Sequence, residues 1–243
     1  MQDTGANSEW RTEATNTEIR KVSSLGMVNS YLLRQEGLIL IDTGLPKMVG
    51  YKGMNLKKAL QSLSSELKNI RLILITHAHY DHVGMLSDLK ALTGAKVAVN
   101  QNEREWVEKG LRLPASGATM WGKMLLACTS VSLSWMKVIP TSVDIVLDDK
   151  EFSLEPWGIR GRVIPTPGHS PGSVSLILDT GEAFVGDLAM NGWPYRIGPG
   201  MPMTADDVDA VRRSWRVILD TGAKHIYPAH GGPFGADVLR KRL

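Results

Sequence analysis

Thr76-His77-Ala78-His79-Tyr80-Asp81-His82 sets three imidazoles and a carboxylate within one short turn. The chain has six histidines in 243 residues, so half of them stand here. The apolar run Leu72-Ile73-Leu74-Ile75 precedes the stretch, and a helix over Val83 to Leu92 is expected to follow. The stretch therefore reads as the turn where a strand empties into a helix, the place where α/β proteins assemble sites. Imidazole and carboxylate together suit Zn2+ and similar divalent ions. A spacing of two folds neighbouring side chains onto one ion.

Upstream of this turn, Met27 to Leu33 and Leu38 to Ile41 read as two strands joined by Gln35-Glu36-Gly37, the second ending at Asp42-Thr43-Gly44. Leu56, Leu60, Leu63 and Leu67 recur at helical spacing. Downstream, Lys96 to Val99 reads as a strand, and Gln101 to Gly110 and Met120 to Ile139 as helices. Further strands are expected at Val143 to Leu147, Gly161 to Ile164, Val174 to Leu178 and Ala183 to Gly186. Thr204 can cap a helix through Ala205 to Leu219 that Gly222 ends, before a strand at His225 to Tyr227 and a terminal helix. Strands with helices between them in both halves make a two-sheet sandwich flanked by helices the natural architecture. We expect one domain over residues 1–243, with residues 1–18 a loose arm and 101–140 a helical cap insertion.

With 43% hydrophobic residues the chain can bury a sizeable core, and its formal charge is only +3. No long basic run occurs, and Arg240-Lys241-Arg242 reads as a solvated helix tail, so no nucleic-acid partner is expected. Cys128 is the single cysteine, which excludes an internal disulfide and fits a reducing cytoplasm, where we expect the protein. It lacks neighbours suited to a nucleophile and reads as a small core residue. Residues 1–18 lack the apolar region of a secretory signal, and Lys123 and Lys137 interrupt residues 120–139. A soluble protein with no membrane contact is expected.

The other histidines extend the first cluster. His169 lies in the turn-rich Thr166-Pro167-Gly168-His169-Ser170-Pro171-Gly172-Ser173, where Pro and Gly fix a ligand at low entropic cost. Asp187 ends the strand-like Val185-Gly186-Asp187, and His230 lies in Pro228-Ala229-His230-Gly231-Gly232. His77, His79, Asp81, His82, His169, Asp187 and His230 are too many ligands for one tetrahedral zinc. They suit two adjacent ions sharing a carboxylate. His225 is left over and reads as structural.

These motifs, in this order from Ile41-Asp42-Thr43-Gly44 to His230, resemble the metallo-β-lactamase superfamily, in its glyoxalase II and lactonase-like branch. The resemblance implies an αββα sandwich of two mixed β-sheets flanked by helices, of α/β (α+β) class, with the metal site at one edge. It implies that His77, His79 and His169 hold one ion, that Asp81, His82 and His230 hold the other, and that Asp187 bridges both. Asp42 matches the family's acidic residue behind the ligands and would orient a ligand histidine. Two Zn2+ are the expected cofactors, with Fe or Mn as alternatives.

Such a pair lowers the pKa of water and supplies a metal-activated hydroxide for an ester, lactone, thioester or amide bond, β-lactams included. Asp81, ligand and nearby base at once, is the expected catalytic residue, aligning the nucleophile or shuttling its proton. The expected substrate is a small molecule.

Departures from the branches narrow the choice. Glyoxalase II-like thioesterases carry a helical C-terminal domain for glutathione, whereas only Gly231 to Leu243 follow His230. The lactonases place a tyrosine soon after the bridging aspartate, where this chain has Met190 and Asn191. The nuclease branches add an RNA-binding insertion or a further domain not found here. Flavodiiron proteins replace the second motif histidine by glutamate, and His79 is intact.

A persulfide dioxygenase-like enzyme, with a single non-haem iron on the first-site ligands, is the alternative of another reaction class. A phosphodiesterase and a non-catalytic metal-binding protein complete the alternatives. The loop Asn191 to Met203, dense in Gly and Pro, offers Trp193, Tyr195 and Arg196 as substrate contacts, with loop anchoring as the competing role. Met120 to Ile139, with Trp121, Met124, Leu125, Leu126, Leu133, Trp135 and Met136, reads as core packing, a substrate cap or a homodimer surface.

Overall fold

The computed structural model describes residues 9–12, 17–24, 27–46, 67–111, 116–124, 127, 137–192 and 196–243. Among these, one sheet takes seven strands in chain order: β1 (Glu9–Thr12), β2 (Thr17–Ser24), β3 (Val28–Arg34), β4 (Leu38–Ile41), β5 (Ile70–Leu74), β6 (Lys96–Asn100) and β7 (Ile145–Leu147). The first four pair antiparallel, whereas β4 to β7 run parallel. The other sheet holds β8 (Phe152–Ser153), β9 (Gly161–Pro165), β10 (Val174–Leu178), β11 (Glu182–Gly186), β14 (His225–Pro228) and β15 (Phe234–Gly235). Its order is β15-β14-β11-β10-β9-β8, with β11 and β14 parallel. A short ribbon pairs β12 (Met190–Asn191) with β13 (Pro199–Gly200).

Side-chain alternation in the strands builds three apolar layers. In β4, Ile39 and Ile41 turn inward against the second sheet, meeting Val163, Leu176, Phe184 and Tyr227. Leu38 and Leu40 turn outward under Val83, Leu86 and Leu89 of α1 (Tyr80–Val83) and α2 (Leu86–Thr93). The outer face of the second sheet, with Ile164, Val185 and Ile226, packs on Val211, Trp215 and Ile218 of α4 (Val208–Asp220). The layers run α, β, β, α, the expected sandwich, with α3 (Arg104–Lys109) on the first side and α5 (Asp237–Arg240) on the second.

Several expectations shift. Glu9–Thr12, placed in a loose arm, is a strand paired with β2, because the second strand offers it a free edge. The helix expected over Val83 to Leu92 is two helices that begin earlier and break at Gly84-Met85. There the Gly84 N–H leaves the helix to donate to Gly44 O, and Thr43 N–H donates to His82 O. Thr204 does not cap α4; Asp207 does, accepting from Asp209 N and Ala210 N, because 204–205 are tied to 116–117 instead.

Of the cap segment, residues 120–124 are helical, and Met120, Trp121 and Met124 are exposed at 75%, 43% and 56%, so these three are not core. Leu125, Leu126, Cys128, Leu133, Trp135 and Met136 lie outside the described residues, as do Leu56, Leu60 and Leu63. No described helix is long and apolar enough to cross a membrane. His225 stands exposed at the start of β14, the end opposite His230.

Trp215 is fully buried, and its Nε1 donates to Leu188 O at 2.9 Å, directly behind Asp187. Trp215→Ala should cost about 3–5 kcal/mol of stability, read as a lower denaturant midpoint; an unchanged midpoint would contradict this packing.

Candidate metal centre

Every residue of the seven-ligand set follows a strand. His77 follows β5, with His79 in the N-cap position of α1 and Asp81 and His82 in its single turn. His169 follows β9, Asp187 follows β11 and His230 follows β14. Since β4 and β5 are parallel, as are β11 and β14, the carboxyl ends of both sheets meet at one rim. Two close approaches hold the rim together. Gly186, at φ 53°, lets β11 reach Thr76; a Cβ there would lie 2.6 Å from Thr76 Oγ1. Strand β3 of the first sheet grips the His230 loop from the other side. Asn29 N donates to Ala229 O at 2.8 Å, Asn29 Nδ2 to Gly231 O at 2.8 Å and Tyr31 Oη to Pro228 O at 2.7 Å.

The imidazole nitrogens converge in two groups. His169 Nε2 lies 3.1 Å from His77 Nε2 and 2.9 Å from His79 Nδ1. On its far side, His169 Nδ1 donates to Thr204 O at 2.8 Å, which leaves Nε2 without a proton. Burial pushes His169 down to about 4 and His77 well below the ordinary imidazole range, so both are neutral at pH 7.

In the second group, His230 Nδ1 donates to Met27 O at 2.7 Å, and Nε2 faces Asp81 Oδ2 at 3.4 Å. His82 Nδ1 bonds Asp42 Oδ2 at 2.8 Å, which turns Nε2 inward. Asp187 stands between the groups, its oxygens 3.3 Å from His82 Nε2, 3.6 Å from His169 Nε2 and 3.2 Å from His230 Nε2.

This geometry is made for positive charge. Burial opposes charge on His82 and His230. Even so, Asp42, Asp187 and Asp81 around the first, and Asp187 and Asp81 around the second, hold both imidazoles well above their ordinary value. Burial likewise opposes charge on Asp187, and His230 and His82 still hold it well below the carboxylate range. His82 Nε2 and Asp187 Oδ1 are buried, make no aligned hydrogen bond and face each other at 3.3 Å, a pair of lone-pair atoms that a divalent ion would satisfy once the Nε2 proton leaves. Three sets could hold an ion, each with its atoms within 4.8 Å of one another: His77, His79 and His169; His77, His82 and Asp187; and Asp81, His82 and His230. The donor chemistry of the site therefore fits divalent metal ions.

Asp42 carries the one positive φ, 57°, among the described non-glycine residues. It is held there by Thr76 N and Thr76 Oγ1, which donate to its two oxygens at 2.8 and 2.7 Å. Strain of this kind gathers at functional sites. Glu103 was missed in the sequence. It is fully buried just before α3, and it accepts from Ala78 N, Ser170 Oγ and, at 3.0 Å, Gly172 N. Burial raises its carboxyl above the ordinary range while those three donors pull it back. The available signal was only an acid shortly past the strand Lys96–Asn100, at the start of a helix, where solvated acids are common. Arg196 donates from Nη1 to Met201 O at 3.1 Å, a contact within its own loop, and Trp193 and Tyr195 lie outside the described residues.

The family model of the metallo-β-lactamase superfamily matches residues 24–230. The chain belongs to that superfamily. Beta-lactamase-like protein 2 homolog of Drosophila melanogaster is 31% identical over 209 residues, covering 84% of this chain and 58% of that protein. A Bacillus subtilis protein named "Probable metallo-hydrolase YqgX" is 29% identical over 121 residues, covering 49% of this chain and 50% of its own. The chain thus spans little more than half the length of these curated relatives. Among solved structures, an archaeal metallo-β-lactamase superfamily protein from Sulfolobus tokodaii superposes with a TM-score of 0.63 at 22% identity. That match covers 90% of this chain and 79% of the other, and it shows the shared fold.

Proposed function

We propose that this chain is a zinc-dependent hydrolase of a small molecule, opening an ester, lactone, thioester or amide bond at a two-ion centre. The observation that carries the reading is Asp187, whose oxygens lie within 3.6 Å of imidazoles from both groups. His77, His79 and His169 would hold one ion and Asp81, His82 and His230 the other, with Asp187 shared. A bound pair of divalent ions supplies an acidified water and a Lewis acid for the scissile carbonyl. The protein's own part is orientation. Hydrogen bonds to Asp42, Thr204 O and Met27 O hold the Nδ1 protons of His82, His169 and His230, so Nε2 is the nitrogen each would turn to an ion, His82 and His230 giving up their Nε2 protons when one binds.

Asp81 differs from its neighbours in reaching solvent, with 15% of its side chain exposed. His82 and His230 hold its carboxyl low against the opposing effect of burial, so it is ionised at neutral pH and can align a water nucleophile by accepting its hydrogen bond. The single-iron reading uses His77, His79 and Asp187 and leaves Asp81, His82 and His230 idle, although all three are arranged around one point. That arrangement supports two ions.

The test is a panel of lactones, β-lactams, thioesters and phosphodiesters offered to the zinc-loaded protein. Hydrolysis of an acyl substrate is expected, with Asp81→Asn lowering kcat by about 100- to 10,000-fold. No turnover anywhere on the panel, or an Asp81→Asn variant with the kcat of wild type, would overturn the reading.

A further inference from the structure

We propose that Glu103 is a positioning residue for the all-histidine half of the centre, setting the spacing of His77, His79 and His169 and holding the ion bound there. The inference rests on the two-ion reading and deepens it. The three imidazoles come from two separate segments: the turn after β5 and the loop after β9. One carboxylate joins the two. Glu103 Oε2 accepts the N–H of Ala78, the residue between His77 and His79, and Oε1 accepts the Ser170 hydroxyl and Gly172 N–H on the His169 loop.

Each oxygen faces a backbone N–H that can only donate, Ala78 on Oε2 and Gly172 on Oε1, and the Ser170 hydroxyl donates to Oε1 as well. An ionised carboxylate matches that set. The amide of a glutamine would turn an N–H2 group toward one of the donors and break the tie on that side.

Charge argues the same way. His77, His79 and His169 are neutral ligands, so in this half the only ligand charge is the share of Asp187. Glu103 places a buried negative charge one hydrogen bond from the backbone of that triad. It is the counterpart in this half of Asp42 in the other, with the difference that Asp42 bonds the His82 ring directly whereas Glu103 holds the backbone between and beside the ligands, and outer carboxylates that orient ligands govern metal affinity.

The experiment titrates metal-stripped wild type, Glu103→Gln and Asp42→Asn with Co2+, following calorimetry and visible absorption. Wild type is expected to bind two ions. Glu103→Gln should weaken one of them about 10- to 100-fold and change its absorption bands, and Asp42→Asn should weaken the other. A merely structural role would instead weaken both ions together.

Two ions bound by Glu103→Gln with wild-type affinities and spectrum, or both weakened equally, would overturn the assignment while leaving the two-ion reading intact. A wild type that binds no Co2+ would overturn both. Ser170→Ala removes one donor and keeps the carboxylate, so it reads the same tie should the glutamine variant fail to fold. It should weaken the same ion to a smaller degree, and unchanged binding of that ion would count against the proposal.

Discussion

Asp187→Ala is expected to abolish hydrolysis, with kcat/KM falling by more than about 1,000-fold, or roughly 4 kcal/mol of transition-state stabilisation. The reason is its position. Among the described residues it is the one carboxylate facing imidazoles of both groups, so under the two-ion reading its removal takes a ligand from each ion position at once. It also strips the counter-charge from His82 and His230.

In the metal-free protein the Asp187–His230 pair contributes stability at neutral and mildly acid pH. The Asp187 carboxyl is depressed, so its contribution is present above the unfolded value of about 3.9 and is lost as pH falls through the folded value. The His230 imidazole is raised, so its contribution is present below about 6.5 and is lost as pH rises through its folded value. Asp187→Ala should therefore lower the denaturant midpoint of the metal-free protein at pH 5.5. Full activity in the variant, or an unchanged midpoint at that pH, would contradict this account of Asp187.

Asp42→Ala should carry the largest stability cost at the rim, about 3–5 kcal/mol. It orphans Thr76 N–H, the Thr76 hydroxyl and the His82 Nδ1 proton together, all buried. It also asks alanine to hold a φ of 57°, which aspartate tolerates better. Asp42→Asn separates stability from ligation. The amide keeps most of the bonds, but its N–H2 group faces His82 Nδ1 and favours the tautomer with the proton on Nε2, where an ion would bind. Its midpoint should stay close to wild type while metal affinity falls about 10- to 100-fold. Equal effects of alanine and asparagine on both measurements would sink the tautomer explanation.

The parts of the molecule legible in the sequence were those written in local pattern. Leu38 to Ile41 and Leu72 to Ile75 are apolar on both faces, which is how parallel strands under two layers must read, and both formed as expected. The seven candidate ligands follow strands, and the fold brings all seven to one rim.

What could not be read depends on distant partners. β2 offers few apolar side chains beyond Ile19 and Val22, so its pairing shows only once β3 is beside it. Thr204 carries a capping side chain, yet a bridge to Gly117 holds it away from the helix and its carbonyl serves His169. Glu103 looks like any solvated acid at a helix start; only the meeting of the β5 turn with the His169 loop buries it.

The most direct test of the central claim is the divalent metal content of the purified protein, measured alongside hydrolysis of the best panel substrate. The account predicts about two ions per chain, with hydrolysis lost on chelation and restored by zinc. A chain that holds no divalent ion, or one that holds a single iron and takes up oxygen with a persulfide while hydrolysing nothing, would contradict it.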